Sequence, residues 1–415
     1  MGKDSESGGL AIFGRLLNYA RKVFGLESLL SQVTDSRTYP QILTMVVVKA
    51  ILAMHLGRLG SLNSCEQLKM SRKLCEFLRA PLPSADTLGR VAGLIHSDTI
   101  RSVNREIYRR LKRNKALPAP WHGLMALAID GHESHATYRR CCEGCLKRNV
   151  SGRTQYYHRN VTAQLISNGI RFQLDAELQA PGEDEVATAI RLLTRVLADY
   201  PRAFDVVVAD ALYAKSKFIS LVIEHKKDVI VVLKENCPGL LADATRCFAD
   251  RLPTSIWNSE DRQIECWDES GFESGPCGGK LLRVVQSKET KAPVRRQLDE
   301  KIEVETTCWL WMTTLSPHRA GSKAVVALGH SRWSIENQTF NELSTRWHSD
   351  HVYSHDPVAI LNFWLMSLVA SNIFQALFLL NLKPAFRAGK TMLHFARLIL
   401  SELYGCLPVS RGVPP

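Results

Sequence analysis

Gly123-Leu-Met-Ala-Leu-Ala-Ile-Asp130 and Asp205-Val-Val-Val-Ala-Asp210 are each a short apolar run closed by an aspartate. Runs of this length read as buried strands of the parallel type. A third acid, Glu336, lies where Trp333, Ile335, Phe340, Leu343 and Trp347 recur at helical spacing. Two strand-end acids and one helix acid, far apart in sequence, can converge to hold two divalent cations. Such a pair activates an attacking oxygen and stabilises a leaving one on phosphate. Taken singly, each aspartate is also explained as a turn or cap residue, so the constellation counts for more than any member. Asp210 runs directly into Ala-Leu-Tyr213, so its strand meets a new helix at once.

The chain around these acids alternates strands and helices. Residues 156–167 read as a second strand and 171–178 as a third, joined by Asn168-Gly169, a two-residue hairpin signal. A helix follows Pro181-Gly182 over about 183–200; then come the Asp210 strand, a helix over 215–227 and a strand over 228–233. Residues 237–320 hold β-type runs at 255–257, 263–267, 281–286 and 303–312, with turn-rich 271–279 between them. A helix resumes near Ala324, and helices continue to about Leu407. This order predicts a mixed α/β fold.

His330-Ser-Arg-Trp-Ser-Ile-Glu-Asn-Gln-Thr-Phe340 resembles the arginine–glutamate helix of bacterial insertion-sequence DDE transposases. Their third acid lies in a signature Tyr-x2-Arg-x3-Glu-x6-Lys, and Arg332 and Glu336 match its Arg and Glu. The resemblance extends to Ile129-Asp130-Gly131, to Ala209-Asp210 with Tyr213, and to Tyr156-Tyr157-His158-Arg159, over roughly residues 60 to 380. Two positions depart from it: Gly329 stands at the signature Tyr, beside His330, and Leu343 at the Lys. Arg346, one turn on, is the available substitute for the Lys.

The resemblance implies an RNase H-like mixed sheet with helices on both faces, interrupted by a β-rich insertion and preceded by a helical DNA-binding region. The implied domains are 1–120 for DNA binding, 121–236 and 321–407 for the two parts of the core, 237–320 for the insertion and 408–415 for a tail. It implies an enzyme that cuts DNA at element ends and joins the 3′ ends to target DNA. Asp130, Asp210 and Glu336 would be its catalytic residues and ligands of two Mg2+ ions, with Mn2+ able to substitute. Arg332 would contact the phosphate beside the scissile bond, with Arg346 and Tyr213 also on DNA. The implied partners are terminal inverted repeats, target DNA and a second copy of the chain in the DNA complex, and the implied location is cytoplasmic, on the nucleoid. Trp257 and Trp267 would stack on a flipped base, or serve as core aromatics of a small β domain.

Charge points the same way. Net charge is +12, and residues 1–122 hold 19 Lys and Arg against 9 Asp and Glu, so nearly all the excess is N-terminal. A basic, helix-patterned block suits a nucleic-acid-binding module, or a solvated basic surface. Within it a helix over 61–78, then Pro-bounded 79–83, then a helix opened by Ser84 reads as helix-turn-helix, with Arg90 directed to a groove. A second basic cluster, Arg139, Arg140, Lys147, Arg148 and Arg153, reads as a loop on the phosphate backbone or as a solvated loop.

Eleven cysteines in 415 residues are no disulfide framework and read as reduced thiols of a cytosolic protein. The Cys142-x2-Cys145 knuckle is half of a zinc site, with His132, His135 and His158 near in sequence, or a pair of reduced thiols. Residues 357–382 carry no charge, which meets the length of a membrane span. The recurring Asn362, Ser367, Ser371, Asn372, Gln375 and Asn381 favour a buried helix and no membrane. Two other functions fit the same residues: an inert sequence-specific DNA-binding regulator, and a nuclease of this fold that never joins strands.

Overall fold

The computed structural model describes residues 11–405 apart from 121–122, 141, 260, 278, 292–293, 296–301 and 304. The tail expected at 408–415 and Cys141 lie outside the described residues. Helices α1 (Ile12–Phe24), α2 (Leu26–Leu30), α3 (Thr44–Leu56), α4 (Leu62–Glu66), α5 (Arg72–Leu78), α6 (Ala85–Ala92) and α7 (Ser97–Arg113) come first. α3 has no polar face and is buried from Val46 to Leu56, as a helix apolar all round must be. Its Lys49 ammonium is held by the Phe77 carbonyl at 2.9 Å and Glu27 at 2.7 Å. The helix expected over 61–78 is broken into α4, a 3-10 turn and α5, because the Ser71 hydroxyl caps a fresh start on the Leu74 N–H. Ser84 caps α6 as its sequence predicts, accepting the Thr87 N–H at 3.3 Å.

The sheet region runs β1 (Ala126–Thr137), β2 (Leu146–Val150), β3 (Arg153–Ile166), β4 (Gln173–Leu178), α8 (Glu185–Asp199), β5 (Val206–Ala209), α9 (Ser216–Glu224) and β6 (Asp228–Val232). It continues with α10 (Pro238–Phe248), β7 (Ser255–Asn258), β8 (Arg262–Phe272), β9 (Leu282–Lys291), β10 (Val294–Arg295), β11 (Ile302–Glu303) and β12 (Thr306–Thr313). Ten strands make one mixed sheet in the order β2-β3-β1-β5-β6-β12-β9-β8-β7, with β4 also on β3; β10 and β11 pair apart. β1, β5 and β6 are mutually parallel. β5 is buried throughout and β6 from Val229 onward, so both faces are covered there. This is the mixed α/β, RNase H-like architecture that the sequence predicts.

Three expectations are corrected. The first strand does not end at Asp130: β1 runs on to Thr137, paired with β3 through Asp130↔Thr162 and Glu133↔Arg159. Its burial ends there instead, complete from Ala126 to Ile129 and partial beyond. Second, the basic segment is largely not a loop. β2 and β3 form a hairpin turned by Ser151 and Gly152, whose φ values of 50° and 79° suit a tight two-residue turn. Third, 237–320 opens with helix α10, and its strands extend the core sheet. β12 runs antiparallel to β6, pairing Trp311 with Val232, and so covers the edge that β6 would otherwise leave unpaired.

The chain ends in α11 (Ser322–Ser331), α12 (Asn341–Trp347), α13 (Pro357–Ala376), α14 (Pro384–Arg387) and α15 (Met392–Leu403). The helix from Pro357 to Asn381 is apolar and long enough to span a membrane, yet 83% of its apolar 18-residue stretch is buried in the protein. Its polar residues satisfy backbone groups of the elements packed on it. Asn362 donates to the Ala92 and Ile95 carbonyls, both at 2.8 Å, and Asn372 to Asn104 and to the Gln173 carbonyl, both at 2.9 Å. The two ends of the chain meet at Glu402, which accepts the Phe13 N–H at 3.1 Å and pairs with Lys73 at 3.0 Å.

Candidate active site

Asp130 and Asp210 arise from neighbouring parallel strands. Register runs Ala126↔Val206, Leu127↔Val207 and Ala128↔Val208. Each aspartate thus lies two residues past the last paired residue of its strand, Asp130 after Ala128 and Asp210 after Val208, where the strands are about 4.8 Å apart. Asp210 follows the last residue of β5 and precedes the 3-10 turn Ala211–Tyr213. Among the described residues its carboxylate makes no hydrogen bond or ion pair, so its oxygens are uncommitted.

Glu336 comes near Asp130 from a distant part of the chain. α11 gives way at Arg332 to a π-helical turn, Ile335–Phe340, that contains Glu336. Such widened turns recur at functional sites. The acid is 58% exposed, while Arg332, one turn before, is 8% exposed. Arg332 Nη1 lies 3.2 Å from Asp130 Oδ2 and 3.9 Å from Glu336 Oε2. The guanidinium thus bridges the first and third acids.

A fourth carboxylate was missed in the sequence. Glu185, the first residue of α8, accepts the Tyr213 hydroxyl at 2.7 Å and pairs with Arg159 at 2.9 Å. A Cβ on Gly131 would lie 2.7 Å from Glu185 Cδ, so only glycine after Asp130 lets this acid press against β1. At a helix start Glu185 reads as a residue serving the helix dipole; only the fold brings β1 beside it. Burial pushes Asp130 up to about 6, against Arg332 and the Gly131 N–H, with Glu185 and Glu336 adding to the rise. This is an acidic, oxygen-lined centre in which the Arg332 and Arg159 guanidinium groups supply the positive charge. Carboxylates so arranged fit hard divalent cations such as Mg2+.

The other expected site residues are distributed as follows. Tyr213 is fully buried, and its hydroxyl donates to Glu185, so it positions that acid. Leu343 is 1% exposed and belongs to the core. A Cβ at Gly329 would come within 2.7 Å of Trp311 Cδ1, so the signature tyrosine has no room. Both departures from the signature therefore follow from packing. Arg346 is exposed on α12 and Arg90 on α6. Arg139, Arg140, Lys147 and Arg148 are exposed on and before β2. Arg148 chelates Glu133 at 3.0 and 2.8 Å, and Glu133 also pairs with Arg159, which links the basic hairpin to Glu185.

Trp257 lines a pocket with Ile264, His330 and Trp333. Its floor is charged: Glu289, held down to about 2 by His330 and Arg262 although burial alone would raise it, lies 2.5 Å from His330. Trp267 is elsewhere, its indole N–H bonded to the Arg251 carbonyl at 2.8 Å.

A family model described as Transposase DDE domain matches residues 121–373, which run from just before β1 to within α13. No curated protein matches the chain.

Proposed function

The chain belongs to the family of transposase DDE domains, and from that premise we propose that it cuts DNA at the ends of an insertion sequence and joins the 3′ ends to target DNA. Family membership makes it a metal-dependent enzyme acting on nucleic acid. The observation that supports the finer reading best is the parallel pairing of β1 with β5, which leads to Asp130 on one and to Asp210 just past the other, with Glu336 tied to Asp130 through Arg332.

Asp130, Asp210 and Glu336 would hold two Mg2+ ions. When bound, the ions lower the pKa of the attacking water or 3′-hydroxyl and offset charge on the leaving oxygen. Arg332 exchanges the Asp130 carboxylate for a phosphate oxygen beside the scissile bond, as a guanidinium with parallel donors can. Glu185, steadied by Tyr213 and Arg159, keeps the centre acidic and in demand of cations. Arg90, Arg139, Arg140, Lys147, Arg148 and Arg346 hold the DNA backbone without reading sequence. Trp257, with Trp333 beside it, offers a stacking wall for an unpaired base; Trp267 belongs to the fabric of the sheet. The basic N-terminal helices, residues 1–120, supply recognition of the terminal repeats, and two copies assemble on the paired ends.

The test uses supercoiled plasmid carrying the element's terminal inverted repeats, with purified full-length chain and Mg2+. Cleavage at the repeat boundary, and joining of a pre-cut end in a second reaction, are the expected outcomes. Specific binding without metal-dependent cleavage would make the chain a regulator, and cleavage without joining would make it a nuclease.

A further inference from the structure

Away from the acids, Cys142, Cys145 and His158 bring three ligand atoms within 4.8 Å of one another. The two cysteines belong to the knuckle before β2; the histidine comes from the middle of β3 and is fully buried. The separations are 3.7 Å between the two sulfurs and 3.4 and 3.6 Å from each sulfur to His158 Nε2. The sulfurs are too far apart for a disulfide, about 2.05 Å. Bonds of about 2.3 Å to sulfur and 2.05 Å to nitrogen at tetrahedral angles put two sulfurs about 3.8 Å apart and sulfur and nitrogen about 3.6 Å apart. The triangle therefore has the edges of a tetrahedral zinc site.

We propose that Cys142, Cys145 and His158 bind a structural zinc ion that fastens the segment leading into β2 to strand β3. The proposal does not depend on the function proposed above. Zinc binding displaces one proton from each thiol, and thiolate with imidazole is a soft donor set that Mg2+ does not favour. His158 is fully buried with Nε2 turned toward both sulfurs, so its ring lies ready to act as the nitrogen donor. His135 and His355, with ring centroids 5.1 Å apart, lie close enough to act electrostatically on His158, and the fourth position of the tetrahedron is left for water or a further side chain. His135 has a φ of 54° beside the β1 irregularity between Ser134 and Thr137, a strained setting that re-aims its side chain out of the regular strand.

The knuckle is also pressed on α13: a Cβ at Gly144 would lie 2.8 Å from Pro357 Cγ. A metal here would tie the approach to β2 to β3, while Gly144 packs the same knuckle against the start of α13. That would fix the bearing of the hairpin's positive charge relative to Asp130 on β1.

The test is elemental analysis of untagged full-length chain made in zinc-supplemented medium, with unfolding followed in parallel. About one zinc per chain is expected, and Cys142→Ser with Cys145→Ser should cut it more than tenfold and lower the unfolding midpoint. Zinc-stripped wild type refilled with Co2+ should show thiolate-to-cobalt charge-transfer absorption, a readout that stands even if the double variant fails to fold. Zinc-free wild type with no such absorption on Co2+ addition, full zinc content in a folded double variant, or iron or copper in zinc's place would each overturn the proposal.

Discussion

Arg332 sets its guanidinium 3.2 Å from the Asp130 carboxylate, where it stands in for the positive charge of a cation. Two tasks then compete for one side chain: neutralising the acid before metal arrives, and gripping phosphate afterwards. Arg332→Gln should therefore bind Mn2+ several-fold more tightly by calorimetric titration while cutting DNA more slowly. Arg332→Lys should lower cleavage at least tenfold, about 1.4 kcal/mol in the barrier, because an ammonium lacks the paired donors. Unchanged Mn2+ affinity in Arg332→Gln would show that the pairing does not oppose metal.

Asp130 gives the site a pH dependence. Its folded-state value of about 6 exceeds the ordinary 3.8, so between those values the folded chain binds a proton that the unfolded chain releases. Its contribution to stability is thus largest at low pH and is lost as pH rises through 6. Without metal, wild type should lose about 2 kcal/mol relative to Asp130→Asn between pH 4 and 7.5 in urea titrations. Mg2+ needs the ionised form, so its stabilising effect should grow over the same rise in pH. A flat difference between the two proteins would remove Asp130 from the crowded acidic centre.

Asp130→Asn, Asp210→Asn and Glu336→Gln should each abolish Mg2+-dependent cleavage while leaving binding to terminal repeats within a few-fold. Each substitution keeps shape and deletes an anionic ligand. Gel-shift and plasmid-nicking assays on the same preparations separate the two properties. Near-native cleavage by any one variant would remove that residue from the site.

Leu343 at the signature lysine tests the packing account. Since it is 1% exposed, Leu343→Lys should cost about 3 kcal/mol of stability through lost packing and a buried ammonium. Arg346→Leu, at an exposed position, should leave stability within about 0.5 kcal/mol and weaken DNA binding instead. Urea midpoints and salt-dependent binding distinguish the two. A stable Leu343→Lys protein would mean that this face of α12 opens to solvent.

Gly131→Ala should be harmful out of proportion to one methyl group. The added carbon would lie 2.7 Å from Glu185 Cδ, so either α8 shifts or Glu185 leaves Tyr213 and Arg159. A loss of about 1–3 kcal/mol is expected, partly relieved by a second change, Glu185→Ala. Failure of the double variant to recover stability would place the strain elsewhere.

The strands carrying Asp130 and Asp210 were legible because a buried parallel strand is written as an uninterrupted apolar run, with its acid where burial ends. The buried character of α13 was legible from the polar residues now seen capping backbone groups of its neighbours. Glu185 was not, since a glutamate at a helix start looks the same whether it serves the helix or leans on another strand. Nor was the join of β12 to β6, because a strand's own pattern does not name the edge it will cover. The π-turn around Glu336 escaped for a related reason. Its residues fit regular helical spacing over a short window, and the extra residue in the turn shifts the faces only beyond it, at Leu343.

The meeting of Phe13, Lys73 and Glu402 bears on how the protein is born. Synthesis runs from the N-terminus, and domains ordinarily fold as they emerge. Here the first helices wait for the last: the buried faces of α1 and α5 find their partner in α15, and α3 finds its own in α13. A ribosome must deliver nearly the whole chain before the N-terminal helices have a complete core. Removal of α15 would therefore leave bare the faces of α1 and α5 that pack on it and open those helices to proteolysis.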